Sequence, residues 1–194
     1  MMNAQPPVRE RILASATALF EATSIRSISA DRIIADAGTT KVTFYRHFPT
    51  KDHLVVAYLD GRLELLKGAV DRETTAGQDA CAVLLQLASA HGSEACRPGF
   101  RGCTFINAAA EYPADGNVVR AAVERYRTWL HGLVAELVRD LGADQPTVVA
   151  DQLIMLRDGA MVHGFMGDPA SVTDALVTAG RAIISAHLRT PLPA

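Results

Sequence analysis

Apolar residues return every three or four positions along nearly the whole chain, and no stretch sustains the alternation of a half-buried strand. A chain patterned this way buries its apolar faces by packing helix on helix, so the expected class is all-α. Ile12, Ala16, Leu19 and Phe20 mark one face of a first helix of roughly 15 residues, entered from Pro6 and Pro7. Ser29 is placed to cap a short second helix through Ile33, Ile34 and Ala37, and Gly38 follows where a helix stops in a left-handed turn. Thr39 or Thr40 can cap a third helix of about two turns that ends near Phe48–Pro49. Thr50 caps a fourth, from Lys51 to about Arg72, with Asp52 in its first turn. Further helical patterns cover Asp79–His91, Thr104–Glu111, Val118–Leu141, Thr147–Met166 and Val172–Leu188, giving about nine helices. The segments Arg97–Gly102, Gly142–Pro146 and Gly167–Pro169 read as loops, and the two-proline tail Thr190–Ala194 as frayed.

Composition narrows the class. The chain has 194 residues, 49% hydrophobic and 21% charged, enough apolar content for a core. Its formal net charge of −2 excludes a protein that binds nucleic acid through overall basicity, so charge has to be read locally. No apolar run approaches the roughly 18 residues of a membrane span, and Met1–Pro7 carries no signal-peptide pattern. Three cysteines without paired spacing (Cys81, Cys96 and Cys103) suit free thiols in a reducing cytoplasm.

The stretch Ser29 to Lys51 carries the functional signal: short helix, glycine turn, short helix, the geometry of a helix-turn-helix. Phe44 and Phe48, four apart, share a face that can pack inward. Thr40, Lys41, Thr43, Tyr45, Arg46 and His47 supply hydrogen-bond donors on the remainder. Between Lys41 and Lys51 the basic residues Lys41, Arg46 and Lys51 meet no acidic residue, a local excess of positive charge suited to phosphates. A solvated basic face on a helical hairpin without DNA function has the same pattern.

The run from Ile33 to Leu54, through Gly38-Thr39-Thr40-Lys41-Val42-Thr43-Phe44-Tyr45-Arg46-His47-Phe48, resembles the signature of the TetR family of repressors, and the Ile12–Phe20 helix resembles that family's first helix. The resemblance covers about the first 55 residues. It implies a DNA-binding domain at 1–50 and an effector-binding and dimerisation domain at 51–194. It also implies DNA contacts from Ser29, Thr39, Thr40, Lys41, Val42, Thr43, Tyr45, Arg46, His47 and Lys51, with Lys51 on a phosphate and Arg46 on a guanine or a phosphate. Ser24, Ile28 and Thr39 depart from the family's usual glycine, threonine and aliphatic residue, so no phosphate contact is carried over to Ile28. The segments Arg101–Glu111, Asp158–Met161 and Gly167–Pro169 resemble one subgroup of TetR-like regulators.

For the body, the expected architecture is a helical bundle that dimerises through its last two long helices. The pattern offers Leu153, Leu156, Ala160 and Phe165 for the interface, and burial within one monomer is the competing reading. Phe105, Asn107, Tyr126, Trp129, Met155 and Met161 are candidates to line an effector pocket, or to be plain core. The expected protein is a cytoplasmic homodimer that binds an inverted-repeat operator on double-stranded DNA and is released by a small molecule. No cofactor, metal, membrane or enzymatic activity is expected, because no phosphate loop, metal pair or nucleophile elbow appears. Two alternatives remain: a helical small-molecule-binding dimer without DNA function, and a redox sensor using Cys96 and Cys103 beside Arg97 and Arg101.

Overall fold

The computed structural model describes residues 6–188, so the expected fraying of the tail from Thr190 lies outside it. Within that span the chain is all-helical: α1 (Val8–Ala22), α2 (Ala30–Asp36), α3 (Lys41–His47), α4 (Lys51–Thr75), α5 (Ala80–Ala95), α6 (Thr104–Glu111), α7 (Val118–Asp140), α8 (Pro146–Met166) and α9 (Val172–Ser185), with a 3-10 turn at Pro169–Ser171. No helix among the described residues is long and apolar enough to cross a membrane.

Local chemistry sets the boundaries. The Ser29 side chain accepts the Arg32 N–H at the start of α2, Thr40 accepts the Thr43 N–H at the start of α3, and Asp79 accepts the Ala82 N–H at the start of α5. Gly38 has φ +57°, the left-handed conformation that stops α2 and turns the chain toward α3. Three helices are longer at one end than the periodicity indicates, α4 among them, which runs to Thr75. Helix α5 continues past His91 because Gly92 and Ala95 stay on its buried face. Helix α8 starts at Pro146 rather than Thr147, since a proline in the first helical position loses no hydrogen bond.

The helices form two compact units. The first comprises residues up to Glu64 together with Thr104–Glu124, hence α1–α3, the first half of α4, α6 and the start of α7. Its core holds Ile12, Ala16, Phe20, Ile33, Phe44, Phe48, Leu54, Tyr58 and Leu59. The second comprises Leu65–Cys103 and the chain from Arg125, hence the remainder of α4 and α7 with α5, α8 and α9. There α9 packs on both α5 and α8. Contact is close enough that a Cβ on Gly92 would stand 1.7 Å from Thr173 Oγ1, and one on Gly164 2.9 Å from the Ala95 Cβ.

Candidate nucleic-acid interface

Helix α3 is amphipathic in the sense its sequence indicates. Phe44 is fully buried and Phe48 nearly so, their ring centroids 6.2 Å apart, and Arg9 lies over the Phe48 ring at 5.2 Å. These contacts fix the roll of the helix. Lys41, Val42, Tyr45 and Arg46 are therefore exposed, Val42 at 80% and Tyr45 at 44%, although both are large apolar or aromatic side chains. Tyr45 stands edge-on to Phe44 at 5.1 Å, which limits its motion. Thr40 Oγ1 lies 3.1 Å from Thr43 Oγ1, so both hydroxyls sit at the first turn of α3. Thr39 and His47 are half-buried at its two ends, and Ser29 is exposed at the start of α2. The structure thus brings Thr40, Lys41, Val42, Thr43, Tyr45 and Arg46 onto one short helix.

The two lysines differ in setting. Lys41 Nζ is 2.9 Å from Asp31 Oδ1 of α2, an exposed ion pair, and the hydrogen bond to Asp31 raises its pKa. Lys51 points inward: its ammonium donates to the Ile25 carbonyl at 2.6 Å and to that of Arg26 at 3.4 Å, with Phe20 beneath at 6.0 Å. Burial lowers its pKa, opposed by the charges of Glu111 and Asp52. The turn it grips is also held by Glu111, whose carboxylate accepts the N–H groups of Ile25 (3.3 Å) and Arg26 (2.6 Å). Asp52 in the first turn of α4 takes the Asn117 amide at 3.2 Å and the Tyr112 hydroxyl, and burial followed by the Asp52 charge pushes Tyr112 up to about 12. Sequence periodicity shows neither Asp31 nor Glu111 in these roles.

The second unit contains a cavity of about 110 Å³ walled by α5, α7, α8 and α9. None of Phe105, Asn107, Tyr126, Trp129, Met155 and Met161 lines it: Tyr126 and Met161 are buried elsewhere, and Met155 is 65% exposed. Leu153 and Leu156, which the sequence offers for an interface, do line it, while Phe165 of that group is exposed and Ala160 half-buried. At one wall Arg157 Nε donates to His91 Nε2 (2.9 Å), Nη1 to Asp158 (2.9 Å) and Nη2 to the Cys103 sulfur (3.3 Å). Asp158 also pairs with Arg127. His91 Nδ1 meets the Leu87 carbonyl at 2.6 Å, so its Nε2 is the lone-pair nitrogen that accepts from Arg157. Burial and the Arg157 charge push His91 down to about 4, which keeps the ring neutral. Burial works against the Arg157 charge, but Cys103, Tyr126 and Asp158 around it outweigh that cost and hold it protonated. Cys103 is buried and Cys96 exposed.

Comparison with known proteins agrees with this geometry. Residues 12–58 match the family of bacterial regulatory proteins described as the tetR family. No curated protein matches in sequence. Among solved structures, a TetR-family transcriptional regulator from Streptomyces coelicolor shares 36% identity over 93% of this chain and 95% of its own, with a TM-score of 0.86. A TetR-type regulator from Streptomyces avermitilis shares 23% identity over 90% of this chain and 98% of its own, at 0.78. A transcriptional regulator from Saccharomonospora viridis, in complex with choline, shares 19% over 91% and 94%, at 0.71. With α3 presented from a helix-turn-helix and a relative similar over nearly its full length, the chain belongs to the TetR family of transcriptional regulators.

Proposed function

We propose that this regulator binds an inverted-repeat operator as a dimer, represses from it, and is released by a small-molecule effector held in the second unit. The observation that carries the reading is α3. Its aromatic side is locked in the core, and its outer side offers hydroxyls, Lys41, Tyr45 and Arg46 for a major groove. Thr40, Lys41, Val42 and Thr43 would meet the groove first, with Ser29, Thr39, Tyr45, Arg46 and His47 reaching backbone or base edges. Lys51 has spent two N–H groups on Ile25 and Arg26 and keeps one for a phosphate.

Dimerisation suits an apolar stripe that α8 leaves uncovered. Val148, Met155 and Val162 recur at seven-residue spacing, with Phe165 and Met166 beyond them, and all are exposed. The pairing of Met155→Glu with Val162→Glu is expected to give a monomer in sedimentation; a dimer that survives both charges excludes this face.

Effector binding in the second unit would favour a conformation in which the two recognition helices no longer match the half-site spacing, about 34 Å or a multiple of it. The ligand moves that equilibrium only by its differential affinity for the two states. The choline complex of the Saccharomonospora viridis protein supports small-molecule binding by this fold. The test is an anisotropy titration with DNA upstream of the protein's own gene at two salt concentrations, beside Lys41→Ala. Tight, selective, salt-sensitive binding supports the reading; failure to select any DNA from genomic fragments refutes it.

A further inference from the structure

The cavity of the second unit is apolar over most of its wall, with Leu84 and Ala88 of α5, Val134 of α7 and Leu153 of α8 among its lining, and its two arginines are Arg157 and Arg181. Among the described lining residues none is Asp or Glu. The charge balance at the Arg157 wall is uneven. The guanidiniums of Arg127 and Arg157 share the single carboxylate of Asp158. The other partners of Arg157, the His91 ring and the Cys103 sulfur, accept hydrogen bonds from it. The group thus carries one more positive charge than its carboxylate cancels, shared between Arg127, 44% exposed, and Arg157, 13% exposed. Arg157 also carries more N–H groups than its three hydrogen-bond partners use. Such a site rewards an anion and penalises a second cation, because an unpaired charge in an apolar surround is costly.

We propose that this cavity binds a compact apolar molecule bearing one carboxylate, the apolar body lying among the leucines and the carboxylate taken by Arg157. The proposal rests on the effector-binding reading above and names the chemistry of that site. Size restricts the body: an engineered cavity of about 150 Å³ holds benzene, so a partly open space of about 110 Å³ takes nothing larger than a single ring or a short branched chain. Quaternary ammonium compounds such as choline have the wrong charge for this wall.

Three probes of nearly one shape separate charge from size: benzoate, benzamide and benzamidine, each titrated calorimetrically into the full-length protein without DNA. Benzoate is expected to bind at least about tenfold more tightly than benzamide, the margin of a charge-assisted hydrogen bond over a neutral one. Benzamidine and choline are expected not to bind. Ala88→Phe, which fills the space, should abolish benzoate binding, and Arg157→Gln should bring benzoate down to the level of benzamide. Equal binding of benzoate and benzamide, preference for benzamidine, no binding of any probe, or benzoate binding that survives Ala88→Phe overturns the proposal. Should Arg157→Gln fail to fold, the charge order in the wild type and the Ala88→Phe result decide. Benzoate binding in the expected order without DNA release refutes effector control and supports the cavity chemistry. Selective DNA binding with no charge order does the reverse.

Discussion

Glu111 and Lys51 grip the same turn through opposite backbone groups: the carboxylate takes the N–H groups of Ile25 and Arg26, and the ammonium donates to the carbonyls of the same two residues. The connector between α1 and α2 thus has its polar groups met by side chains from α6 and α4, where a helix or strand would have met them with backbone. Glu111→Ala is expected to cost about 1.5–3 kcal/mol, the range for hydrogen bonds to a charged group, read by urea denaturation. Glu111→Gln, which keeps an acceptor, should cost less. Equal stability in all three proteins would mean that the clamp contributes nothing.

The ion pair between Lys41 and Asp31 sits on the surface that would face DNA, so the two partners act in opposite directions there. Lys41→Ala should leave the melting curve unmoved, weaken DNA binding across sequences, and lower the salt slope by about one. Asp31→Asn should tighten non-specific binding, because it frees Lys41 and removes a negative charge. Weaker non-specific binding by Asp31→Asn would place Lys41 off the DNA.

His91 ties stability to acid. Its folded pKa of about 4 lies below the ordinary 6.5, so the unfolded chain takes up the proton first. The stabilisation is complete above pH 6.5 and is lost as pH falls toward 4, in total about 3 kcal/mol. Arg157, Asp158 and Glu94 are the charged groups around it. His91→Gln, neutral throughout, should lose correspondingly less stability between pH 7 and pH 4.5 in urea titrations. Parallel losses in both proteins would assign the acid sensitivity elsewhere.

At Gly92 the helices α5 and α9 meet with no room for a methyl group. Gly92→Ala drives a Cβ into Thr173 Oγ1 and should destabilise by about 1–3 kcal/mol, as overpacking does. Adding Thr173→Ala removes the clashing oxygen and should recover part of that loss in thermal melts. A double variant no more stable than Gly92→Ala would point to the backbone rather than the hydroxyl.

Where local chemistry decides, the sequence is readable. Ser29, Gly38 and Thr40 mark the helix-turn-helix because caps and left-handed glycines act within four residues of themselves. The inward face of α3 is equally legible from Phe44 and Phe48. Pairings across long separations leave no such trace. Nothing near Glu111 announces a partner 85 residues away, and nothing near Arg157 announces His91. Helix α8 shows the same limit differently. It is apolar around much of its circumference, so periodicity cannot tell that Leu153 and Leu156 face a cavity while Met155 and Val162 face outward. Five of the residues offered as pocket lining were chosen by size and softness and Asn107 by its polarity, and neither says anything about direction.

The clamp on Ile25 and Arg26 also bears on how such a protein can be cut and recombined. Helices α1–α3 are contiguous in the chain and look like a portable reader of DNA. Their core, however, includes Leu54, Tyr58 and Leu59 of α4, and their first connector depends on a carboxylate from α6. A chimera that transplants the first fifty residues onto another body would leave that connector's amides to whatever the new host supplies. The smallest graft that keeps every polar group matched is two separate pieces of chain, so exchanging operator specificity between relatives is better done by altering the outer face of α3 than by swapping the segment that bears it.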